Sequence, residues 1–414
     1  MNEDIKAFEE KEILPFGFPT DAPRIIKVIG VGGGGGNAVK TMFREGIRDV
    51  SFVLANTDSQ ALAESDIPVK LQLGRKTTNG LGAGNNPEVA RAAAEESIEE
   101  IRAMFRDDTK MAFITAGMGG GTGTGAAPVI ARCAKEEGVL TIGIVTIPFK
   151  FEMRPKIRQA LAGVEEMAKN VDALLVINNE RLLEIYSEQK VGTGFKKVDE
   201  TLTTATKSIA ELITCRGIIN LDFRDVSKIL KDGGVAIMSS GEAAGENRVE
   251  QAIQMALNSP LLYNNDIYRS KKILFNIYQS TDEQYQLVLN EMHEIRHFMD
   301  KFEDENIEVI WGLANDPSLG DKVKITVLAT GFGMSNIPLV EDTSDKEEVI
   351  GKLYGEPAGK KALYIFELED DDMDNDALIN ALTESPTNLR RSSDLTEIKS
   401  FRETSESRQE TPVS

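Results

Sequence analysis

The stretch AGMGGGTGTGAAP, Ala116 to Pro128, sets glycines and threonines between the apolar segment KMAFI and an alanine-rich helical pattern. Bare backbone at a strand-to-helix junction lets N–H groups converge on a phosphate, and the helix N-terminus adds positive potential. Thr122 and Thr124 add hydroxyl donors, and Pro128 suits a first helical turn. A turn that merely needs positive φ accounts for one or two of these glycines, not for the run. An earlier stretch, VIGVGGGGGNAV, has Gly30, Gly32 and Gly35 in the G-x-G-x-x-G spacing of dinucleotide sites. The next strand, however, ends at Asn56 rather than at an acidic residue, and GNAVKT places Lys40 and Thr41 after valine. Neither the dinucleotide nor the P-loop pattern is complete. Two glycine loops, opposed across a sheet, predict instead a triphosphate gripped from both sides.

HEIRH, His293 to His297, matches a zinc-protease pattern. These are the only two histidines of the chain, so a third imidazole ligand is impossible. Met292, Ile295, Met299 and Phe302 form an apolar stripe at helical spacing, which predicts an amphipathic helix with the histidines on its flank.

The elements that must position the loops are legible as a repeat. Strand IIKVIGV, helix NAVKTMFREG and strand VSFVLAN lead to the loop NGLGAGNN and a long helix, PEVARAAAEESIEEIRAMFR. Strand KMAFITA, the second glycine loop, helix APVIARCAKEEG, strand LTIGIVTIPF, a helix and strand ALLVIN follow. Apolar strands alternating with helices predict a doubly wound, mostly parallel sheet covered on both faces, the α/β class of nucleotide-binding domains. A long central helix, KVDETLTTATKSIAELIT, leads into a C-terminal α+β segment containing a helix over DEQYQLVLNEMHEIRHFMDKFED. The reading divides the chain into a flexible arm (1–23), a nucleotide-binding domain (24–194), central helix and acidic loop (195–232), an α+β domain (233–335) and an acidic tail (336–414), disordered or only locally helical.

With 414 residues and 41% hydrophobic content the chain can bury a sizeable core. A formal net charge of -20 argues against a non-specific nucleic-acid binder, which would present a basic stripe. Two distant cysteines, Cys133 and Cys215, predict neither a disulfide framework nor a four-cysteine zinc site, in keeping with a reducing cytosol. No apolar run reaches the length of a membrane span, and no secretion signal is expected.

The segment GGGTGTG, Gly119 to Gly125, together with ANTDSQAL, GLGAGNNPEVAR, PFKFE, NLDFRDV and SGEAAGENRVEQA in that order, closely resembles the FtsZ/tubulin family of bacterial division GTPases from Arg24 to Phe332. The resemblance implies binding of GTP and GDP, head-to-tail polymerisation into the cytokinetic ring, hydrolysis at the subunit junction, and a cytoplasmic place at the division site on the inner face of the membrane. Carried over by residue, it implies phosphate contacts from Gly33, Gly34, Asn37, Gly120, Gly121, Thr122, Gly123, Thr124 and Gly125. Glu152 would approach the ribose, Asn179 the guanine and Phe195 the base face. The family's usual aspartate and arginine are replaced by Glu200 and Lys156. Guanine offers two adjacent donors that one carboxylate accepts in a fork, so Glu200 serves if its longer stem fits, with Asp199 as substitute. A polar first turn of a long helix accounts for the same pair. Lys156 keeps the charge but not the planar fork, for which Arg154 or Arg158 is a replacement.

Cleaving a γ-phosphoryl group needs a positioned water and a cation, so Mg²⁺ with one or two carboxylates is the expected apparatus. In GIINLDFRDVSKIL, Asp222 and Asp225 stand three apart at a predicted helix start, with Asn220 just ahead. The resemblance makes this the loop that faces the nucleotide of the next subunit, with Mg²⁺ held mainly through the nucleotide and Asp222 or Asp225 as its candidate protein contact. An N-cap with an acidic first turn is the competing account. A nicotinamide-dependent oxidoreductase explains only the first glycine loop, and a nucleotide-binding scaffold without turnover fits only if the acidic loop never meets a partner's nucleotide. Relatives end in a short apolar-basic peptide that docks on membrane anchors and division regulators; SESRQETPVS offers none, and DALINALTESPTNLRR, Asp376 to Arg391, is the candidate for a displaced version.

Overall fold

The structure, a computed structural model, describes residues 24–47, 49–185, 191–214, 217–219, 221–257, 267, 270–305, 307–332 and 375–384, with single positions at 350, 354 and 398. The described residues fall into two compact units divided between 349 and 350. In the second unit the helix Asp376–Glu384 is capped by Asn375, whose Oδ1 accepts from the Leu378 amide at 3.1 Å.

In the first unit, β1 (Ile26–Val31), β2 (Val50–Asn56), β3 (Val69–Gln72), β4 (Met111–Gly117), β5 (Leu140–Ile147) and β6 (Ala173–Asn178) are all parallel, in the order β3-β2-β1-β4-β5-β6. β1 and β5 are buried along their whole length, which is why they read as continuous apolar runs rather than alternating ones. The doubly wound half is covered by α1 (Gly32–Arg44), α2 (Ser59–Ala63), α3 (Arg75–Thr78), α4 (Pro87–Glu96), α5 (Ile98–Ala103), α6 (Thr122–Glu136) and α7 (Arg154–Asn170). Short α8 (Asn179–Ile185) and the 24-residue α9 (Val191–Thr214) then lead to β7 (Gly217–Ile219) and α10 (Phe223–Leu230).

The sheet continues with β8 (Gly234–Ala243), β9 (Lys272–Gln279), β10 (Glu308–Asn315) and β11 (Val323–Phe332), in the order β6-β8-β11-β9-β10-β7. β8 joins β6 in parallel through two residue pairs, Ala173 with Gly234 and Leu174 with Val235. Helices α11 (Arg248–Leu257) and α12 (Met292–Met299) belong to this half. One apolar core runs from Val28 and Val39 through Ile209 and Val226 to Leu274 and Leu328, so α9 and α10 are packed into both halves.

Four elements depart from the sequence-based expectation. The long helix from Pro87 breaks at Ser97, whose Oγ turns to accept the Gly74 amide at 3.0 Å. The long helix expected before Phe302 is only Met292–Met299, because Arg248 takes the carbonyls that would have propagated it. Its guanidinium donates to Tyr285 O, Gln286 O and Asp321 O and to both carboxylate oxygens of Glu291, using all its N–H groups. Finally, both glycine runs wind directly into helices: α1 begins at Gly32 rather than Asn37, and α6 at Thr122. Pro128 therefore lies inside α6, where it leaves the Thr124 carbonyl without its usual donor, and not in a first turn.

Candidate functional site

The two glycine runs follow neighbouring strands, β1 and β4, and touch each other at the point where the strand order reverses; they are not opposed across the sheet. A Cβ on Gly32 would stand 2.9 Å from Gly123 N, and one on Gly35 would stand 2.1 Å from Thr115 O. These glycines are packing glycines: only bare backbone brings the two helix starts together. Gly33 and Gly120 are different, because a Cβ there would meet nothing within 4 Å. Gly33, Gly34 and Asn37 are the exposed residues of the first turns of α1, so they share one open face. The amides of Gly33, Gly34, Thr122, Gly123 and Thr124 lie in first turns and have no intrahelical acceptor, which makes the pair of helix starts an anion cradle. The Gly125 amide is already bonded to Gly121 O, and Gly125 itself packs under Pro87 O, so the free run of amides ends before it. Gly121 is likewise packed against Asn85 and Asn86.

Side chains hold the second loop in shape. Thr124 Oγ1 accepts the Gly119 amide at 2.9 Å, and Thr122 Oγ1 meets Thr57 Oγ1 at 2.7 Å. Gln159 Nε2 donates to Gly119 O and Gly120 O at 3.1 and 3.0 Å, which turns carbonyls away from the open side.

Beyond β5, a 3-10 turn at Lys150–Glu152 carries Glu152, whose carboxylate accepts the Phe149 amide at 3.0 Å and Lys156 Nζ at 2.5 Å. Lys156 also borders Gly119, so this ion pair lies against the glycine loop. Asn179, at the end of β6, is buried and its Oδ1 has no hydrogen-bond partner among the described residues. An orphaned buried acceptor is costly unless a ligand pairs with it. Phe195 lies in α9, and its side chain is outside the described residues.

Helix α9 separates the two acids that follow. Glu200 shares the outward stripe with exposed Thr204 and with Lys207, and its carboxylate is paired to Lys197. Asp199 shares the inward stripe with Thr203, Thr206 and Ala210, all buried. Burial, and then the neighbouring charge of Glu200, push the Asp199 carboxyl up to about 6. A carboxyl that is reluctant to ionise without a partner gains from two ligand donors, and of the two acids it is Asp199, not the ion-paired Glu200, that stands in this condition.

The glycine runs, Glu152 and Asn179 all follow C-terminal ends of parallel strands and therefore share one edge of the sheet. The acidic segment does not. Counting strand directions from β6 through β8, β11, β9 and β10, β7 runs antiparallel to β1, beside Leu313 and Ala314 of β10. What carries the chain away from the cradle is α9, whose 14 steps from Glu200 to Thr214 span about 21 Å. Asn220 lies outside the described residues. Asp222 and Asp225 form a reciprocal capping box on α10: Asp222 Oδ1 accepts the Asp225 amide at 2.9 Å and Asp225 Oδ2 accepts the Asp222 amide at 3.0 Å. Each carboxylate uses one oxygen for the cap and keeps one.

The profile described as the Tubulin/FtsZ family, GTPase domain, matches residues 25–187, and that of the FtsZ family, C-terminal domain, matches residues 234–333. The "Cell division protein FtsZ" of Porphyromonas gingivalis is 50% identical over 95% of this chain and 91% of its own length. The chain belongs to the FtsZ family. The protein of the same description from Wigglesworthia glossinidia brevipalpis is 41% identical over 82% of this chain and 87% of its own. Among solved structures, an FtsZ dimer of M. jannaschii superposes with a TM-score of 0.68 at 40% identity, covering 79% of this chain and 93% of that one. The chain is a GTPase of this family and binds guanine nucleotide.

Membership leaves the oxidoreductase reading unsupported, and the geometry agrees. Asp58, the acid nearest the end of β2, caps α2 by accepting the Gln60 and Ala61 amides. In the zinc-protease-like segment, Ile295 and Phe298 are the buried face of α12, both histidines are exposed, and Glu294 accepts the Glu250 amide at 2.9 Å. Thr57 and Gln159 hold the second loop, although sequence reading assigns neither a role. Thr57 lies within ANTDSQAL and Gln159 in none of the quoted motifs, and the role of both is set by what the fold brings beside them.

Proposed function

We propose that one subunit binds GTP in the cradle of Gly33, Gly34, Asn37, Gly120, Thr122, Gly123 and Thr124, and that the next subunit's acidic loop completes the hydrolytic site. The observation that carries this is the length of α9: it spans about 21 Å from Glu200 to Thr214 before the chain reaches Asp222 and Asp225, so one molecule holds its cradle and its acidic pair far apart. Subunits stacked in a single direction bring the acidic loop of one against the cradle of the next. Such stacking is head-to-tail and generates a filament.

Within that site the amides take the phosphate charge, Glu152 approaches the ribose, and Asn179 and Asp199 read the guanine edge. Lys156 holds Glu152 in place and adds positive charge beside the loop. The spare oxygens of Asp222 and Asp225 orient the attacking water. Mg²⁺ when bound supplies charge neutralisation on the phosphates. We further assign the filament to the division site on the inner face of the membrane, with the helix Asp376–Glu384 and the residues after it as the segment that docks on anchoring and regulatory proteins. No described helix is long and apolar enough to cross a membrane.

Mixing two silent variants tests the shared site. Gly120→Val obstructs the cradle at a position with open space and is expected to bind no GTP. Asp225→Asn is expected to bind GTP without cleaving it. Each alone releases no phosphate, and the mixture is expected to recover turnover. A mixture as silent as its parts contradicts the proposal.

A further inference from the structure

Met153 sits at φ 76 and ψ 151, a conformation that is essentially glycine's alone, and its side chain is 68% exposed. Its backbone is not loose. The amide donates to Lys150 O at 3.2 Å, and the carbonyl accepts the amides of Lys156 and Ile157 at 3.2 and 3.3 Å, at the start of α7. Two residues before it, Phe151 is 56% exposed and stacks on Phe149 with ring centroids 5.0 Å apart. Folding of one subunit gains nothing from an exposed thioether on a backbone that disfavours any side chain. Selection for a contact outside the subunit accounts for both features at once.

The location names the occupant. Met153 and Phe151 flank Glu152 on the nucleotide edge of the sheet, which is where the next subunit has to bring Asp222 and Asp225. The strand leading to Asp222 exposes Ile218, 60% accessible, and Ile219, 38%. We infer that Met153, with Phe151 beside it, packs on Ile218 and Ile219 of a second copy of this chain, forming an apolar contact next to the shared hydrolytic site. The inference rests on the head-to-tail reading above and goes beyond it by naming the side chains that carry the junction.

The test exploits the backbone. Met153→Gly removes the side chain and relieves the positive φ, so the variant is expected to melt no lower than the parent when unassembled. If the contact exists, its threshold concentration for GTP-dependent assembly, read by light scattering, rises about fivefold, while nucleotide affinity below that threshold is unchanged. Met153→Leu keeps an apolar side chain and is expected to assemble near the parent's threshold. Ile218→Ser is expected to raise the threshold as well, and the double variant to raise it by less than the product of the two single effects. An unchanged threshold in Met153→Gly overturns the contact. A raised threshold accompanied by weaker GTP binding also overturns it, because Met153 would then act through Glu152. Failure of the parent chain itself to assemble with GTP would sink the head-to-tail reading instead, and is read in the same experiment.

Discussion

Asp199 and Glu200 are neighbours in sequence, yet one turns toward buried threonines and the other toward Lys197 in the outer stripe. An acid whose folded pKa of about 6 lies above its ordinary value favours folding of the free protein below pH 3.8, and that contribution is lost as pH rises through 6. Guanine donors reward the ionised form, so GTP affinity is expected to rise about tenfold from pH 5 to pH 7. Asp199→Asn should flatten that profile in a titration, whereas Glu200→Gln should leave it intact. The glycines divide just as sharply. Gly35→Ala places a methyl against Thr115 O and should lower stability by about 3 kcal/mol in urea unfolding. The equivalent change at Gly33 should leave stability alone and weaken nucleotide binding. The sequence made every one of these residues visible as a glycine or an acid. It could not separate packing glycines from open ones, or Asp199 from Glu200, because that depends on which helix face the rest of the chain covers.

At the scale of elements, strands were the most legible, since a buried parallel sheet writes continuous apolar runs. Helix ends were the least, because distant partners set them: Ser97 leaves its helix for the Gly74 amide, and Arg248 draws off carbonyls of the segment before α12. Burial raises the Glu291 carboxyl, but the Arg248 guanidinium and the Val288 amide outweigh it and hold the group below the ordinary glutamate range. That stabilisation is present at neutral pH and is lost as pH falls through the lowered value. Arg248→Met should cost about 3 kcal/mol in chemical unfolding, because Glu291 and three carbonyls lose their partner together. The start of α10 carries a capping box and, on the proposed reading, the chemistry as well. Asp222→Ala loses the cap and should destabilise by about 1 kcal/mol, whereas Asp222→Ser keeps a capping oxygen. Both should slow phosphate release about a hundredfold, so the serine variant isolates the chemical role from the cap.

For the whole molecule, what matters is separation. Six parallel strands gather the cradle, Glu152 and Asn179 on one edge, and α9 carries the chain about 21 Å from Glu200 to Thr214 before Asp222 and Asp225 are reached. On the proposed reading a single subunit owns both halves of a hydrolytic site and does not close them on each other. The family resemblance in the glycine and acidic motifs gave the activity; how far apart the motifs stand became legible only when the structure set α9 between them. The central claim is that hydrolysis belongs to the junction between subunits. Phosphate release from GTP per subunit, measured across a range of protein concentrations, tests it most directly. The expected curve stays near zero below a threshold and climbs steeply above it. Release per subunit that is constant at every concentration would place a complete site inside one molecule and contradict the account.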